Sequence, residues 1–179
     1  MLLALDISTS STGYCVFDED TLVDIGYVSL SKHKGLYAKA GHIKTELLSI
    51  QAKFNITSVA VEENLQSFRP GLSSAKTLMT LAQFNGVVRW ICHETLNVPV
   101  TSINVNAARK AVGLKIDRKS NKSTKEQVVD WVSSVNADIV WPTKIMKSGK
   151  NKGQIRIINE CFDMADAYVI AKARKLIEN

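Results

Sequence analysis

The sequence predicts an α/β fold in which one mixed β-sheet carries helices on both faces. Residues 2–30 contain three strand-like segments joined by short links, a pattern typical of an antiparallel meander. Downstream, short apolar segments alternate with segments of helical periodicity, which predicts parallel strands joined by helices. The chain has 179 residues, 45% of them hydrophobic, and we expect residues 1–179 to form a single domain.

The first half of the chain supplies four strands and a helix. In order, these are strands Leu2–Ile7, Gly13–Phe17 and Leu22–Leu30, helix Leu36–Phe54, and strand Ser58–Val61. The acidic triplet at 18–20 is predicted to turn the chain between the second and third strands. The fourth strand is short and rich in valine, which is typical of a buried parallel strand.

The segment Ser73–Leu96 is the longest predicted helix. Its apolar residues spread beyond one narrow stripe, which indicates a helix covered on more than one side. One side would pack on the sheet. The other would be covered either within the monomer or by a second subunit, and Gly86 would permit close approach there.

The second half of the chain predicts one more strand, three helices and a hairpin. These are strand Val98–Ile103, helix Val105–Val112, helix Thr124–Val135, hairpin arms Asp138–Met146 and Gln154–Ile158, and helix Cys161–Lys175. The tip of the hairpin is basic and rich in glycine, so the region near 136–160 is predicted to be a basic hairpin-like insertion. Pro142 argues that the first arm is an edge strand or irregular.

Positive charge is concentrated in one part of the sequence. The net charge is +6, and residues 109–156 hold twelve basic and four acidic residues, a local charge of +8. This asymmetry predicts a nucleic-acid-binding face, although a solvated basic loop would give the same pattern. The candidate phosphate-binding residues are Arg109, Lys110, Arg118, Lys119, Lys144, Lys147, Lys150 and Lys152.

Four acidic residues lie where predicted buried elements reach the surface. Asp6 and Glu62 end two apolar strands, and Asp163 and Asp166 share one face of the last helix. Carboxylates from separate elements suit Mg²⁺, which prefers oxygen ligands and removes the cost of burying unpaired charge. Two of these residues also have a purely structural explanation. Asp6 could be a turn residue at the end of its strand, and Asp163 could complement the helix dipole at the N-terminus of its helix. Glu62 and Glu63 compete for one role, and strand alternation favours Glu62.

Neither the cysteines nor the hydropathy indicate secretion or a membrane protein. The three cysteines show no paired spacing, and no apolar run approaches the roughly 20 residues of a membrane helix. The N-terminal apolar run is short and lacks a basic leader. We therefore expect a cytoplasmic protein with no membrane partner.

Three motifs, in order along nearly the whole chain, resemble RuvC-type Holliday junction resolvases. The segments are Leu3–Tyr14, Val59–Glu62 and Asp163–Ala167. The resemblance implies an RNase H-like fold with a five-stranded mixed sheet, three strands antiparallel and then two parallel. It also implies a homodimer that nicks four-way DNA junctions symmetrically with two Mg²⁺ ions per active site, Mn²⁺ being possible.

The resemblance also implies roles for individual residues. Asp6, Glu62, Asp163 and Asp166 would form the catalytic, metal-binding set, in which Asp6 bridges the two ions. Lys125 matches a lysine of the family and would contact phosphate. Where the family often has an aromatic wedge, this chain has Leu65, and the nearest aromatic residue is Phe68; an apolar side chain can still unstack bases. The long 136–160 region suggests a divergent branch, of phage or viral type.

Other activities remain compatible with the sequence. The same fold serves nucleases of flaps, Y-junctions and RNA–DNA hybrids, and fold alone does not choose a substrate. A non-catalytic junction-binding protein is a second alternative. An actin-like small-molecule kinase is a third, because residues 8–13 are similar to its phosphate motif; Ser8 in place of glycine and the short chain argue against it.

Overall fold

The computed structural model describes residues 1–63 and 74–178 and confirms the predicted mixed sheet. The strands are β1 (Leu2–Ile7), β2 (Ser11–Asp18), β3 (Thr21–Ser29), β4 (Ser58–Glu62) and β5 (Val100–Ile103). Their order across the sheet is β3-β2-β1-β4-β5. Strand β2 pairs antiparallel with both β1 and β3, whereas β4 pairs in parallel with both β1 and β5.

Helices cover both faces of the sheet, as the sequence predicts. They are α1 (Leu36–Lys53), α2 (Ala75–Leu96), α3 (Val105–Ala111), α4 (Thr124–Val135) and α5 (Glu160–Glu178). One hydrophobic cluster joins the sheet to α1 and α2, and a second joins its other face to α3, α4 and α5. Each face therefore has its own core, with the sheet as the shared wall.

Alternation along β1 decides which face receives each side chain. Leu3, Leu5 and Ile7 belong to the cluster under α1 and α2, whereas Ala4 belongs to the cluster under α5. Successive strand residues point to opposite faces, so Asp6 lies on the α5 side together with Ala4. The strand thus directs the Asp6 carboxylate towards α5, the helix that carries Asp163 and Asp166.

Helix α5 lies against the backbone of β2 at Gly13. A Cβ atom on Gly13 would stand 2.1 Å from the carbonyl carbon of Asp163 and 2.5 Å from the backbone nitrogen of Met164. The thiol of Cys15 donates to the Ala167 carbonyl, with Sγ 3.3 Å from the oxygen. This close contact fixes the height of α5 above the sheet.

The basic hairpin is present but much shorter than predicted. Only β6 (Thr143–Ile145) and β7 (Ile155–Ile157) pair, as a separate antiparallel ribbon. Pro142 has no N–H to extend the first arm, and its carbonyl accepts from the Ile158 backbone N–H. The lysine-rich connection between β6 and β7 turns at Gly149 and Gly153, both with positive φ.

Most other boundaries shift by only one or two residues. Strand β2 begins at Ser11 rather than Gly13, and β5 begins at Val100 rather than Val98. Helix α2 begins after Ser74, whose side chain accepts from the Thr77 N–H. In the part of the chain that the structure describes, no helix has the length and apolar character needed to cross a membrane.

Candidate active site

The four acidic residues singled out from the sequence come from three separate elements and line one cleft of about 360 Å³, which Glu63 also lines. Asp6 belongs to β1, Glu62 ends β4, and Asp163 and Asp166 lie on α5. Strands β1 and β4 are parallel with Leu5 opposite Val61, so Asp6 and Glu62 follow side by side at the same edge of the sheet. All four acids singled out from the sequence are thus brought together.

Burial and mutual repulsion make this cleft strongly unfavourable for four negative charges. Burial raises the pKa of Asp6 well above its ordinary value, and the Glu62, Asp166 and Asp163 carboxylates raise it further. Burial is also the main cause that raises the pKa of Glu62, Asp163 and Asp166. The Glu62 carboxylate is the largest electrostatic cause of the raised pKa of Asp6, so these two side chains interact within the cleft.

Two basic side chains and one hydroxyl engage the carboxylates of α5. Arg109 donates from Nη2 to Asp166 Oδ1 over 3.1 Å, and both side chains are largely buried. Lys125 Nζ lies 3.7 Å from Asp163 Oδ1. The Ser11 hydroxyl donates to Asp163 Oδ2. These contacts lower the pKa of the two aspartates, but burial outweighs them and leaves both values raised.

Glu62 and Glu63 have different surroundings. Ala60 belongs to the core under α5, so Glu62, two residues later, points to the same face as Asp6. Glu63 also reaches the rim of the cleft, where its Oε2 accepts from Asn104 Nδ2 over 3.2 Å. The electrostatic effect of Glu62 on the pKa of Asp6 favours Glu62 as the site residue, in agreement with the alternation argument.

A basic pocket adjoins the acidic cleft. It has a volume of about 430 Å³ and includes Arg109, Lys110 and Arg118, together with Lys115, which the sequence did not single out. Arg109 lines both the pocket and the cleft. The neighbouring cavities therefore have opposite charge, as expected for a site that holds cations beside a polyanion.

The other predicted basic residues lie on the surface. Lys119 is exposed in the connection between α3 and α4, Lys144 is exposed on β6, and Lys147, Lys150 and Lys152 are exposed on the hairpin connection. Arg109 differs from them because it is held by Asp166 inside the cleft. The candidate wedge residues Leu65 and Phe68 lie outside the described residues.

Two polar residues of the cleft region were not found from the sequence. Ser11 reaches Asp163 across 152 positions of sequence, and only the folded sheet reveals the pair. Asn85 lines the cleft from α2. The sequence offers one indication of it, a polar side chain between two residues that are buried, Phe84 and Val88.

The donor set suits a hard divalent cation. It consists of carboxylate oxygens that repel one another, and Mg²⁺ prefers oxygen ligands. Within residues 1–63 and 74–178, no three acidic, histidine or cysteine side chains stand close enough together to hold an ion in their present positions. Asp163 and Asp166 are engaged by Lys125 and Arg109, so their side chains would have to turn towards an ion.

Three solved structures are similar to the whole chain. RuvC of T. thermophilus in complex with a Holliday junction substrate has TM-score 0.66 and 18% identity, covering 99% of this chain and 93% of that one. A second T. thermophilus RuvC structure has TM-score 0.60 and 16% identity, covering 99% and 96%. The yeast mitochondrial Holliday junction resolvase Ydc2 has TM-score 0.53 and 16% identity, covering 99% and 80%.

These similarities confirm the RNase H-like fold that the three motifs imply. The strand order, with three antiparallel strands followed by parallel pairing, is that of the RuvC structures. No model of a protein family matches the sequence. A search of curated proteins also gives no match.

Without metal, the protein is expected to lose stability as the pH rises. The raised pKa of Asp6 means that the folded state binds more protons than the unfolded state. The Asp6 carboxyl group therefore destabilises the folded protein least below the ordinary carboxyl pKa. The free energy of unfolding then falls as the pH rises through the raised pKa of Asp6. Urea titrations in EDTA between about pH 4.5 and 8 measure this slope. Asp6→Asn should flatten it, and an identical slope in both proteins would contradict the assignment.

Proposed function

We propose that the protein is a metal-dependent, structure-selective endonuclease that nicks four-way DNA junctions symmetrically, in DNA recombination, repair or branched-DNA resolution. The observation that carries the proposal is the cleft that joins Asp6, Glu62, Asp163 and Asp166 beside a basic pocket. The fold shared with RuvC and Ydc2 supports it, because those structures are described as junction resolvases or junction-bound. The free, buried cysteines are compatible with a cytoplasmic setting.

The carboxylates would hold the cations, and the remaining residues would arrange the site. Two divalent ions, Mg²⁺ or Mn²⁺, would supply an activated water and stabilise the leaving oxygen of a phosphodiester. Asp6, Glu62 and Asp163 are the proposed ligands, and Asp166 completes the set. Ser11 orients the Asp163 carboxylate, and Arg109 offsets the charge of Asp166 until a cation is bound.

The basic residues would position the DNA backbone beside the carboxylates. Lys125 is half exposed next to Asp163, so it can reach a phosphate at the mouth of the cleft. Lys110, Arg118 and the hairpin lysines extend the positive surface away from the cleft. Phosphate contacts carry no sequence information, so selectivity would come from the shape of branched DNA.

The exposed face of α2 supports a homodimer. Trp90 is 61% exposed there and Met79 is also exposed. A groove of about 620 Å³ runs past Gly86 between α2 and α1, and the exposed Tyr37 of α1 lines it. A large exposed apolar patch is typical of a protein interface. A two-fold dimer would present two clefts to the two strands that a symmetrical cut requires.

Trp90→Arg is expected to shift the protein from dimer to monomer. The substitution places a charge at the centre of the proposed interface, where an unpaired charge is costly. Size-exclusion chromatography with light scattering measures the mass. The Thr80→Val control, on the same helix, should remain dimeric. A wild-type protein that is monomeric at micromolar concentration and on junction DNA would contradict the dimer.

Cleavage of a substrate panel tests the proposed activity. Labelled four-way junction, flap, Y-junction, linear duplex and RNA–DNA hybrid are incubated with Mg²⁺ and with EDTA. Metal-dependent cutting of the four-way junction in preference to the others is expected. Equal cutting of flaps and Y-junctions would establish a broader branched-DNA nuclease. Tight junction binding without any cutting would establish a non-catalytic binder.

A further inference from the structure

Asn85 lines the carboxylate cleft, and its buried amide oxygen has no hydrogen-bond partner among the described residues. Asn85 lies on α2 and is only 3% exposed. Its Oδ1 is buried and has no hydrogen-bond partner among the described residues. The residue lines the same cleft as Asp6, Glu62, Asp163 and Asp166. A residue of the cleft lining therefore carries a neutral oxygen that the rest of the described chain leaves unsatisfied.

An unpaired buried acceptor needs a specific kind of partner. An acceptor that is buried without a hydrogen bond destabilises the folded state, whereas an apolar side chain of the same shape would carry no such cost. A carbonyl oxygen cannot bond to phosphate or carboxylate oxygens, because all of these groups are acceptors. The missing partner must be a hydrogen-bond donor, such as water, or a cation. Of the carboxylates that line the same cleft, Asp163 and Asp166 have such partners in Ser11, Lys125 and Arg109, whereas Asn85 Oδ1 has none among the described residues.

We propose that Asn85 is a further binding residue of the cation site, contributing its neutral oxygen to the hydrated divalent cation. The proposal rests on the cation site of the proposed function. An amide suits this position better than a further carboxylate, because several carboxylates already line the cleft. Another negative charge would add repulsion, whereas the neutral oxygen binds or orients without it.

The test measures cation affinity without DNA, so it does not depend on cleavage. Isothermal titration with Mn²⁺ compares wild type, Asn85→Leu, Asn85→Asp and the exposed same-helix control Thr80→Val. Asn85→Leu should weaken binding by about tenfold, the lower end for residues that support metal ligands. It should also unfold at the same or a higher temperature without metal, since an unsatisfied acceptor is removed. Asn85→Asp should bind Mn²⁺ more tightly and unfold at a lower temperature without metal.

The possible results separate this inference from the proposed function. If Asn85→Leu binds Mn²⁺ as tightly as the wild-type protein, the role of Asn85 is overturned and the metal site stands. The same conclusion follows if Asn85→Leu binds Mn²⁺ normally but binds junction DNA more weakly. If Asn85→Leu does not fold, Asn85→Asp decides: unchanged or weaker Mn²⁺ binding would overturn the inference. Absence of Mn²⁺ binding by the wild-type protein would overturn both the cation site and the contribution of Asn85 to it.

Discussion

Asp6→Asn is expected to abolish cleavage of four-way junctions while leaving junction binding intact. The substitution keeps the shape of the side chain but removes one anionic ligand from the cleft. A loss of about 10³-fold or more in rate corresponds to roughly 4 kcal/mol of transition-state stabilisation. Single-turnover cleavage and gel-shift binding measure the two properties separately. The unfolding free energy at neutral pH should not fall, because the buried like-charge repulsion around Asp6 is reduced.

Glu63→Gln is the matched control for this prediction. Glu63 adjoins Glu62 at the end of β4, but its carboxylate bonds to Asn104 instead of Asp6. Glu62→Gln should therefore behave like Asp6→Asn, whereas Glu63→Gln should retain cleavage. Cleavage lost in Glu63→Gln and kept in Glu62→Gln would reverse the assignment. Loss of junction binding by well-folded Asp6→Asn would contradict the separation of catalysis from DNA binding.

Gly13→Ala is expected to produce the largest loss of stability. The added methyl group would stand 2.1 Å from the backbone carbon of Asp163, and backbone atoms of a packed helix cannot turn aside. Helix α5 must then lift from the sheet, at a cost of about 3 kcal/mol, the upper end of the usual range for overpacking. For a domain of this size that loss corresponds to a melting temperature lower by about 10 °C. Any folded protein should also cleave poorly, because α5 carries Asp163 and Asp166.

Gly41→Ala provides the opposite result as a control. Gly41 lies in α1, and a Cβ atom there would meet nothing within 4 Å among the described residues. Alanine favours helix over glycine by about 0.5–1 kcal/mol, so this variant should be slightly stabilised. Thermal unfolding of both variants by circular dichroism makes the comparison. A Gly13→Ala protein as stable as wild type would show that α5 does not rest on β2 in this way.

The sheet and its acidic edge could be predicted because they depend on local patterns. Apolar runs located β1 and β4, and the parallel pairing of two such strands places Asp6 beside Glu62. The spacing of Asp163 and Asp166 determines that both share one face of α5. These inferences need only strand alternation and helix periodicity.

The partners within the site could not be predicted, because they depend on contacts between distant segments. Nothing near Arg109 in the sequence indicates that it pairs with Asp166 inside the cleft, 57 positions away. Asn85 is one of several polar residues of α2, and its place in the cleft depends on the folded structure. The hairpin arms were predicted too long because apolar residues before Pro142 suggested a strand, whereas only three residues on each arm pair.

Cleavage of a supercoiled plasmid that extrudes a cruciform tests the central claim most directly. Two clefts acting together on one four-way junction would cut opposite strands within a single binding event and convert the plasmid to linear product. With Mg²⁺, the wild-type protein should give linear product without accumulation of nicked circles. No product is expected in EDTA or from Asp6→Asn. Nicked circles as the stable product, or equal cleavage in EDTA, would contradict a metal-dependent symmetrical junction nuclease.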